Sequence, residues 1–338
     1  MRVLLTGHQG YLGSVMAPVL AEAGHQVVGL DSGLFADCVL GPEPEPVEAH
    51  AVDLRDAGPE HVAGFDAVIH LAALSNDPLG ALAPDLTYDI NHHASVRLAR
   101  LARDAGVRRF LYASTCSVYG ASGGADLLDE EAPLRPVTPY AESKVRVEDD
   151  LTALADDDFT PVFLRNATAF GFSPRLRADI VLNNLVGHAH LTGEVRVLSD
   201  GTPWRPLVHA RDIADAFAAA LTAPREAVHA TAFNVGTEAN NVTVAEIAAE
   251  VVAAVPGSTL TITGETGADP RSYRVDFSRI RSALGHEARW TVKAGAVELI
   301  DAYREHGLTR HDFDRRFTRL ARLADRREAG TVDATLRP

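Results

Sequence analysis

The sequence predicts an α/β protein, a doubly wound parallel sheet with a smaller C-terminal α/β part. Three observations carry this. Short β-branched runs alternate with helix-length segments through the first half of the chain. Those runs are mostly continuously apolar, as strands covered on both faces are. A glycine-rich turn joins the first run to the first helical stretch.

Element by element, Arg2–Thr6 reads as a strand, Tyr11–Ala23 as a helix and Gln26–Leu30 as a strand. Ala49–Val52, Ala67–Leu71, Phe110–Ser114 and Val162–Arg165 continue the strand series. Pro84–Ala105 and Pro139–Ala155 are long enough to be crossover helices. The segment Gly41-Pro42-Glu43-Pro44-Glu45-Pro46 is too proline-dense for a helix or an inner strand. Beyond Arg165 the spacing predicts a helix over Ile180–Leu191, a strand at Val195–Leu198, a turn at Asp200-Gly201-Thr202-Pro203 and a helix over Arg211–Leu221. Ala232–Gly236 reads as a strand returning to the main sheet. Thr243–Val255 and Lys293–Glu305 read as helices of the smaller part.

Composition narrows the function. The chain has 338 residues, 46% apolar and 23% charged, ordinary values for one large or two small folded units. No apolar run approaches the roughly 18–20 residues needed to cross a bilayer. The opening Met1–Gly7 breaks too early for a signal peptide's apolar region. Two cysteines, Cys38 and Cys116, offer neither a disulfide framework nor a metal spacing. The expectation is a cytoplasmic protein without metal, membrane or nucleic-acid partner, since a net charge of −14 repels a duplex. Residues 309–338 differ, with eight arginines against five acids. They read as an amphipathic basic tail that packs on an acidic surface of this chain or a partner subunit. Lysine occurs only at 144 and 293.

Gly7-His8-Gln9-Gly10-Tyr11-Leu12-Gly13 places G-x-x-G-x-x-G between the first strand and first helix. Glycine permits the tight turn, the approach of a pyrophosphate to the backbone and close helix–sheet packing. The helix N-terminus offers free N–H groups to the phosphates. Asp31, eighteen residues beyond Gly13, ends the second strand. A carboxylate there accepts from both ribose hydroxyls of NAD and repels the 2′-phosphate of NADP. Asp53-Leu54 either reaches the adenine or caps a helix. His70-Leu71-Ala72-Ala73 ends the fourth strand with small residues suited to lie against a cofactor.

Tyr140 and Lys144 stand four residues apart, on one helix face. Ser114-Thr115-Cys116-Ser117-Val118-Tyr119-Gly120 follows the fifth strand, at the carboxyl edge where open α/β sheets bind ligands. An ammonium beside a phenol favours the phenolate, which suits Tyr140 to general base work. The Thr115 hydroxyl is placed to orient the reacting oxygen.

Together these segments resemble the extended short-chain dehydrogenase/reductases, the NAD-dependent epimerase/dehydratase group, over roughly residues 1–305. The glycine loop, Asp31, Asp53-Leu54, His70–Ala73, Asn91, the S-x-x-x-V-Y-G segment and Y-x-x-x-K carry the resemblance, joined by Arg205 and Asn234-Val235-Gly236. It implies a Rossmann-like NAD-binding part over 1–165, revisited around 207–237. A substrate-binding part would span 166–206 and 238–308. It further implies that Tyr140 exchanges the proton of a sugar hydroxyl, Lys144 holds the nicotinamide ribose, and Thr115 holds the substrate oxygen. Asn91 and Ser114 would support the cofactor. Arg205 and Asn184 would serve a nucleotide-diphosphate sugar, while Ser75 and Asn76, which follow a strand end, either face the substrate or simply cap a loop. Family members commonly form homodimers through a four-helix bundle, here Pro84–Ala105 with Pro139–Ala155, and the broad apolar face at Val96–Ala102 fits this.

Departures from the pattern choose among reactions. Family 4,6-dehydratases carry Thr-Asp-Glu where this chain has Thr115-Cys116-Ser117, so the acid and base that expel water are missing. Cys116 precedes Tyr119 by three residues, whereas the catalytic cysteine of sugar 3,5-epimerases precedes its tyrosine by two. A bystander thiol is the reading preferred here. Thr168 stands where R-x-x-N-x-x-G usually has asparagine, and Glu265 replaces a diphosphate-binding arginine that Arg271 or Arg274 would supply instead. The leading expectation is epimerisation through a transient keto sugar, at the 4-position. A nucleotide 4-keto-sugar reductase is the alternative, followed by a dehydratase and, in a different class, a non-catalytic NAD sensor.

Overall fold

In the computed structural model, which describes residues 1–75, 83–121, 127–265 and 271–337, the apolar runs assemble into a parallel seven-stranded sheet. Numbered within this sheet, the strands are β1 (Arg2–Thr6), β2 (Gln26–Asp31), β3 (Glu48–Ala51), β4 (Ala67–His70), β5 (Arg109–Thr115), β6 (Thr160–Asn166) and β7 (Thr231–Val235). They lie in the order β7-β6-β5-β4-β1-β2-β3. The order reverses between β1 and β4, so a crevice opens beyond the carboxyl ends of the strands there.

Two cores sandwich the sheet. Val3, Leu5, Ile69, Leu111 and Leu164 pack on one face with Phe217 of the Ala210–Thr222 helix, which lies beside the Tyr11–Glu22 helix. Leu4, Val28, Val68, Phe110 and Phe163 pack on the other with the Ala94–Asp104 and Pro139–Leu154 helices. Successive strand residues serve opposite faces, which is why the strands read as unbroken apolar runs.

A third core forms the smaller part. It gathers the helices Val181–Thr192, Val244–Ala254 and Val292–Glu305 around Leu185, Val251, Leu299 and Tyr303. Glu194–Val197 pairs there with Thr259–Ile262, a strand not expected from the sequence. Thr168–Phe170, Trp204–His209 and Asn241–Thr243 form a small sheet joining this part to the first.

One expectation needs correction, and the structure adds detail to two others. The helix expected over Pro84–Ala105 is interrupted by a wide turn at Asp89–His93, because Asn91 turns inward to bond the backbone of Leu74. The apolar residues that suggested a helix-bundle dimer serve this chain's own core. Val96, Leu98, Ala99 and Ala102 are all buried, leaving Arg97, Arg100 and Arg103 outward. The tail packs on this chain as well. Phe313 and Phe317 enter the third core, with Phe313 filling the space where Gly187 has no side chain. Only then does a helix begin, over Arg319–Glu328. Its arginines pair with Asp37 of this chain, an acidic contact of the kind expected. Among the described residues no helix is long and apolar enough to cross a membrane.

Candidate active site

The glycine loop is shaped by contacts that no side chain would survive. Gly7 sits at φ +75°, and a Cβ there would lie 2.8 Å from the Ala72 nitrogen. A Cβ on Gly13 would lie 2.2 Å from the Gly7 carbonyl oxygen. Gly7 N–H donates to Leu30 O (2.8 Å) and Gly10 N–H to Gly7 O (2.9 Å), which aims the start of the Tyr11–Glu22 helix at the crevice. Gly10 caps that helix without a side chain, so its first N–H groups stay available to an anion.

Asp31 ends β2 at the rim. Its carboxylate accepts from Gln9 N–H (3.1 Å) and Gly33 N–H (2.9 Å), one bond per oxygen. Each oxygen therefore keeps acceptor capacity for a ribose hydroxyl. Asp53 takes the second of its two expected roles. It caps the short helix Leu54–Asp56 and holds Arg55 through both oxygens, at 2.9 and 2.7 Å, while still lining the crevice.

At the carboxyl end of β5, Thr115 Oγ1 accepts from Ser117 N–H (3.1 Å), which leaves its own proton free to be donated. Tyr140 and Lys144 stand on successive turns of the Pro139–Leu154 helix, started by Thr138 as N-cap and Pro139. Lys144 Nζ donates to Ala113 O (2.8 Å) and lies 5.7 Å from the Tyr140 ring centre and 4.6 Å from that of Tyr112. The lysine is 3% exposed, and burial lowers its pKa to about 7, partly opposed by Glu148 one turn on. His70 beneath is fully buried, bonded to Thr6 Oγ1 (2.6 Å) and Ser95 Oγ (2.8 Å). Burial and the Lys144 charge hold His70 near pKa 3, so it stays neutral.

One cavity of about 760 Å³ runs from the glycine loop to these side chains. Of the residues singled out from sequence, it is lined by Gly7, Gly10, Tyr11, Leu12, Gly13, Asp31, Asp53, Leu54, Leu71, Ala72, Ala73, Ser75, Ser114, Thr115, Tyr140, Lys144, Thr168, Asn184, Arg205 and Arg271. Some of these are already engaged. Tyr11 OH donates to Gly171 O (2.7 Å), Ser114 Oγ to Glu148 (2.5 Å), and Arg205 Nη1 to Trp204 O (2.9 Å) and to Arg271 O.

Two assignments fail and one falls elsewhere. Asn91 is fully buried away from the cavity, and its amide clamps the Leu74 backbone instead. Cys116 points into the core behind Thr115, 1% exposed, its thiol 3.1 Å from the Arg165 carbonyl; burial pushes its pKa well up. Cys116 is not among the residues that line the cavity, so the substrate contact expected of it is not made. Asn76 lies outside the described residues. Arg274 holds its guanidinium over the Trp204 ring, 5.1 Å from its centre, and only Arg271 of the two lines the cavity.

Sequence reasoning missed Arg177, Asp179 and Arg319. Arg177 pairs with Asp179 through two parallel bonds (3.0 and 3.1 Å) and reaches Ser75 Oγ (3.2 Å) across the cavity mouth. The one local signal was an Arg-x-Asp spacing. Arg319 comes from the tail, where nothing in the pattern separates it from its neighbouring arginines.

The glycine cradle, the uncapped helix start and the half-satisfied Asp31 fit a dinucleotide. The family model described as NAD dependent epimerase/dehydratase matches residues 3–236. The UDP-glucose 4-epimerase of Mycolicibacterium smegmatis is 31% identical over 317 residues, 90% of this chain and 99% of that protein. Among solved structures, MoeE5 in complex with UDP-glucuronic acid and NAD is similar at TM-score 0.78 and 28% identity, over 90% of this chain and 99% of that one. The UDP-glucose 4-epimerase of Stenotrophomonas maltophila, with bound NAD and formylated UDP-arabinopyranose, is similar at TM-score 0.78 and 26% identity, over 91% and 99%. Fold, cavity and similarity agree, and the chain belongs to the NAD-dependent epimerase/dehydratase family of extended short-chain dehydrogenase/reductases.

Proposed function

We propose that this chain is an NAD-dependent epimerase of a nucleotide-diphosphate sugar, working at the 4-position through a transient keto sugar. The observation that carries this reading is the convergence of Thr115, Tyr140 and Lys144 on the cavity that the glycine loop opens. When bound, NAD supplies a reversible hydride acceptor. The glycine loop and helix start would hold its pyrophosphate, and Asp31 its adenosine ribose.

On this reading Tyr140 takes the proton of the sugar hydroxyl as the carbon is oxidised, and returns it when the keto group is reduced from the other face. Lys144, so close to the Tyr140 ring, stabilises the phenolate when charged. Thr115, whose hydroxyl already accepts from Ser117 N–H, donates to the reacting oxygen and fixes its position. Arg205, Arg271, Asn184 and Thr168 line the part of the cavity where the sugar nucleotide would lie.

Dehydration is disfavoured because Cys116 and Ser117 provide no carboxyl group beside Thr115. The described cavity carboxylates are Asp31, Asp53 and Asp179, and the last two are held by Arg55 and Arg177. The relative from M. smegmatis, a UDP-glucose 4-epimerase by name, supports the same choice.

The test is a panel of UDP-, dTDP-, GDP- and CDP-sugars with NAD, read by mass-resolved chromatography and NMR. A product of unchanged mass with inverted C4 supports the proposal. Loss of water would make the enzyme a dehydratase, and gain of hydrogen a reductase.

A further inference from the structure

The chemistry above leaves the C-terminal segment without a role. The three similar proteins named above match about nine tenths of this chain and 99% of their own lengths. Yet the segment is built into the site. Leu323, Val332 and Leu336 close over Leu34 and Leu74 in a fourth apolar cluster. Arg326 donates to Leu34 O (2.8 Å), Arg322 pairs with Asp37, and Arg337 pairs with Asp56. The segment is thus tied to the loops that leave β2 and β3, which carry Asp31 and Asp53. Thr318, Arg319, Leu320 and Leu336 become cavity wall.

Arg319 is the telling residue. It is 5% exposed, with its guanidinium 4.5 Å over the Phe35 ring. One terminal nitrogen donates to Arg175 O (3.4 Å), while Nη1 has no hydrogen-bond partner. Burial disfavours its charged form and neighbouring Arg177 disfavours it further, while Cys38 and Asp179 offset only part of this. The acids nearby are committed. Asp179 holds Arg177, Glu43 stands 3.2 Å from Arg175, and Asp37 holds Arg322. A desolvated cation in a cavity wall with an unused donor calls for an anion that is not part of the chain.

The position of the segment says which anion. Tyr11, first residue of the glycine-loop helix, bonds Ser173 through its carbonyl (2.8 Å) and Gly171 through its hydroxyl (2.7 Å). This holds the 171–177 stretch, and Arg319 upon it, beside the helix start. Arg205 and Arg271 are bonded to each other on the separate Trp204–His209 strand side. We propose that Arg319 binds the pyrophosphate of the dinucleotide, and that residues 309–337 form a wall of the cofactor site that retains NAD between turnovers. The inference rests on the NAD reading above and gives it a physical use. An epimerase that loses its reduced cofactor mid-cycle strands a keto sugar.

The test uses the full chain, stripped of cofactor, as wild type, Arg319→Met, Arg319→Lys and Arg322→Ala. NAD, ADP-ribose and UDP are titrated calorimetrically, and the release of bound NAD is timed by stopped flow. Arg319→Met, which keeps the bulk, should weaken NAD and ADP-ribose by about 10- to 100-fold, the worth of a charge-assisted hydrogen bond. UDP affinity should not change, and Arg319→Lys should recover most of the loss. Arg322→Ala, which loosens the wall without touching the cavity, should speed NAD release, and it keeps the test open if Arg319→Met does not fold. Unchanged NAD affinity in Arg319→Met, a loss confined to UDP, or unchanged NAD release in Arg322→Ala would each overturn the proposal. A folded wild type that binds no NAD would instead overturn the cofactor reading itself.

Discussion

Replacing Lys144 by methionine separates what the buried ammonium costs the fold from what it gives the site. In the cofactor-free chain, burial lowers its pKa from 10.5 to about 7. The unfolded chain therefore binds the proton more tightly than the folded one between those values, and wild-type stability rises with pH across that window. At about 1.4 kcal/mol per pH unit, the full interval is worth at most about 5 kcal/mol. Between pH ~6.5 and ~9.5 the same relation gives about 3 kcal/mol. Lys144→Met removes this slope. It also leaves Ala113 O without its 2.8 Å partner, a loss of about 1 kcal/mol that does not depend on pH. Near pH 6.5 the variant should thus be the more stable protein, and near pH 9.5 the advantage should have shrunk by about 3 kcal/mol. Urea unfolding of both proteins without cofactor, at matched pH, reads the difference directly. Parallel curves, with a gap independent of pH, would refute the desolvated ammonium. The same substitution should weaken NAD binding. Ribose hydroxyls accepting from Nζ favour the charged form, so wild-type affinity should fall as pH rises above about 7.

Tyr140→Phe keeps the ring beside Lys144 but removes the proton carrier, so turnover should drop about 10²–10⁴-fold while NAD still binds; wild-type kcat in this variant would sink the acid–base assignment. Cys116→Ser should retain activity, because the thiol faces the Arg165 carbonyl inside the core. A dead but folded variant with bound NAD would move chemistry onto the sulfur. Asp31→Ala should weaken NAD and narrow its advantage over NADP, since the acceptor that repels a 2′-phosphate is gone. Titration of both cofactors checks this, and unchanged discrimination would count against the residue.

The sheet was legible because its signals are local. A strand buried on both faces must be apolar throughout, and a pyrophosphate-binding turn needs glycine at Gly7 and Gly13 for reasons that the Ala72 and Gly7 backbone atoms make explicit. Thr115, Tyr140 and Lys144 were legible because each sits at a strand end or a helix turn set by the same local rules. Asn91 was misplaced because its motif fixes where it lies in the chain, whereas its amide was drawn inward by the unpaired backbone of Leu74, seventeen residues earlier. The apolar face at Val96–Ala102, read from sequence as a dimer surface, has a local explanation within the chain. An apolar face broader than one stripe is what a helix shows when it packs against both the sheet and a neighbouring helix. Arg177 and Arg319 carry no local mark at all, because their meaning comes from partners far along the chain.

The two kinds of buried cation in this cavity work differently, and the contrast explains why only one could be found from sequence. Lys144 is costly alone but has a built-in partner system. Ala113 O accepts a hydrogen bond from it, and the Glu148 carboxylate one turn on, shared with Ser114 and Arg165, offsets part of the desolvation. Its position is fixed by the helix that also carries Tyr140, so spacing alone reveals it. Arg319 has less support, because Cys38 and Asp179 offset only part of its desolvation and Arg177 opposes them. Its helix starts only after Phe313 and Phe317, which lie in another core, and it lines the cavity with a buried, unsatisfied Nη1. A lone buried donor of that kind lowers the stability of the empty protein and is compensated when an anion arrives. Cofactor binding should accordingly raise the unfolding temperature more in wild type than in Arg319→Met, at equal free NAD concentration. The segment that closes the site would then be held in place partly by the ligand it encloses.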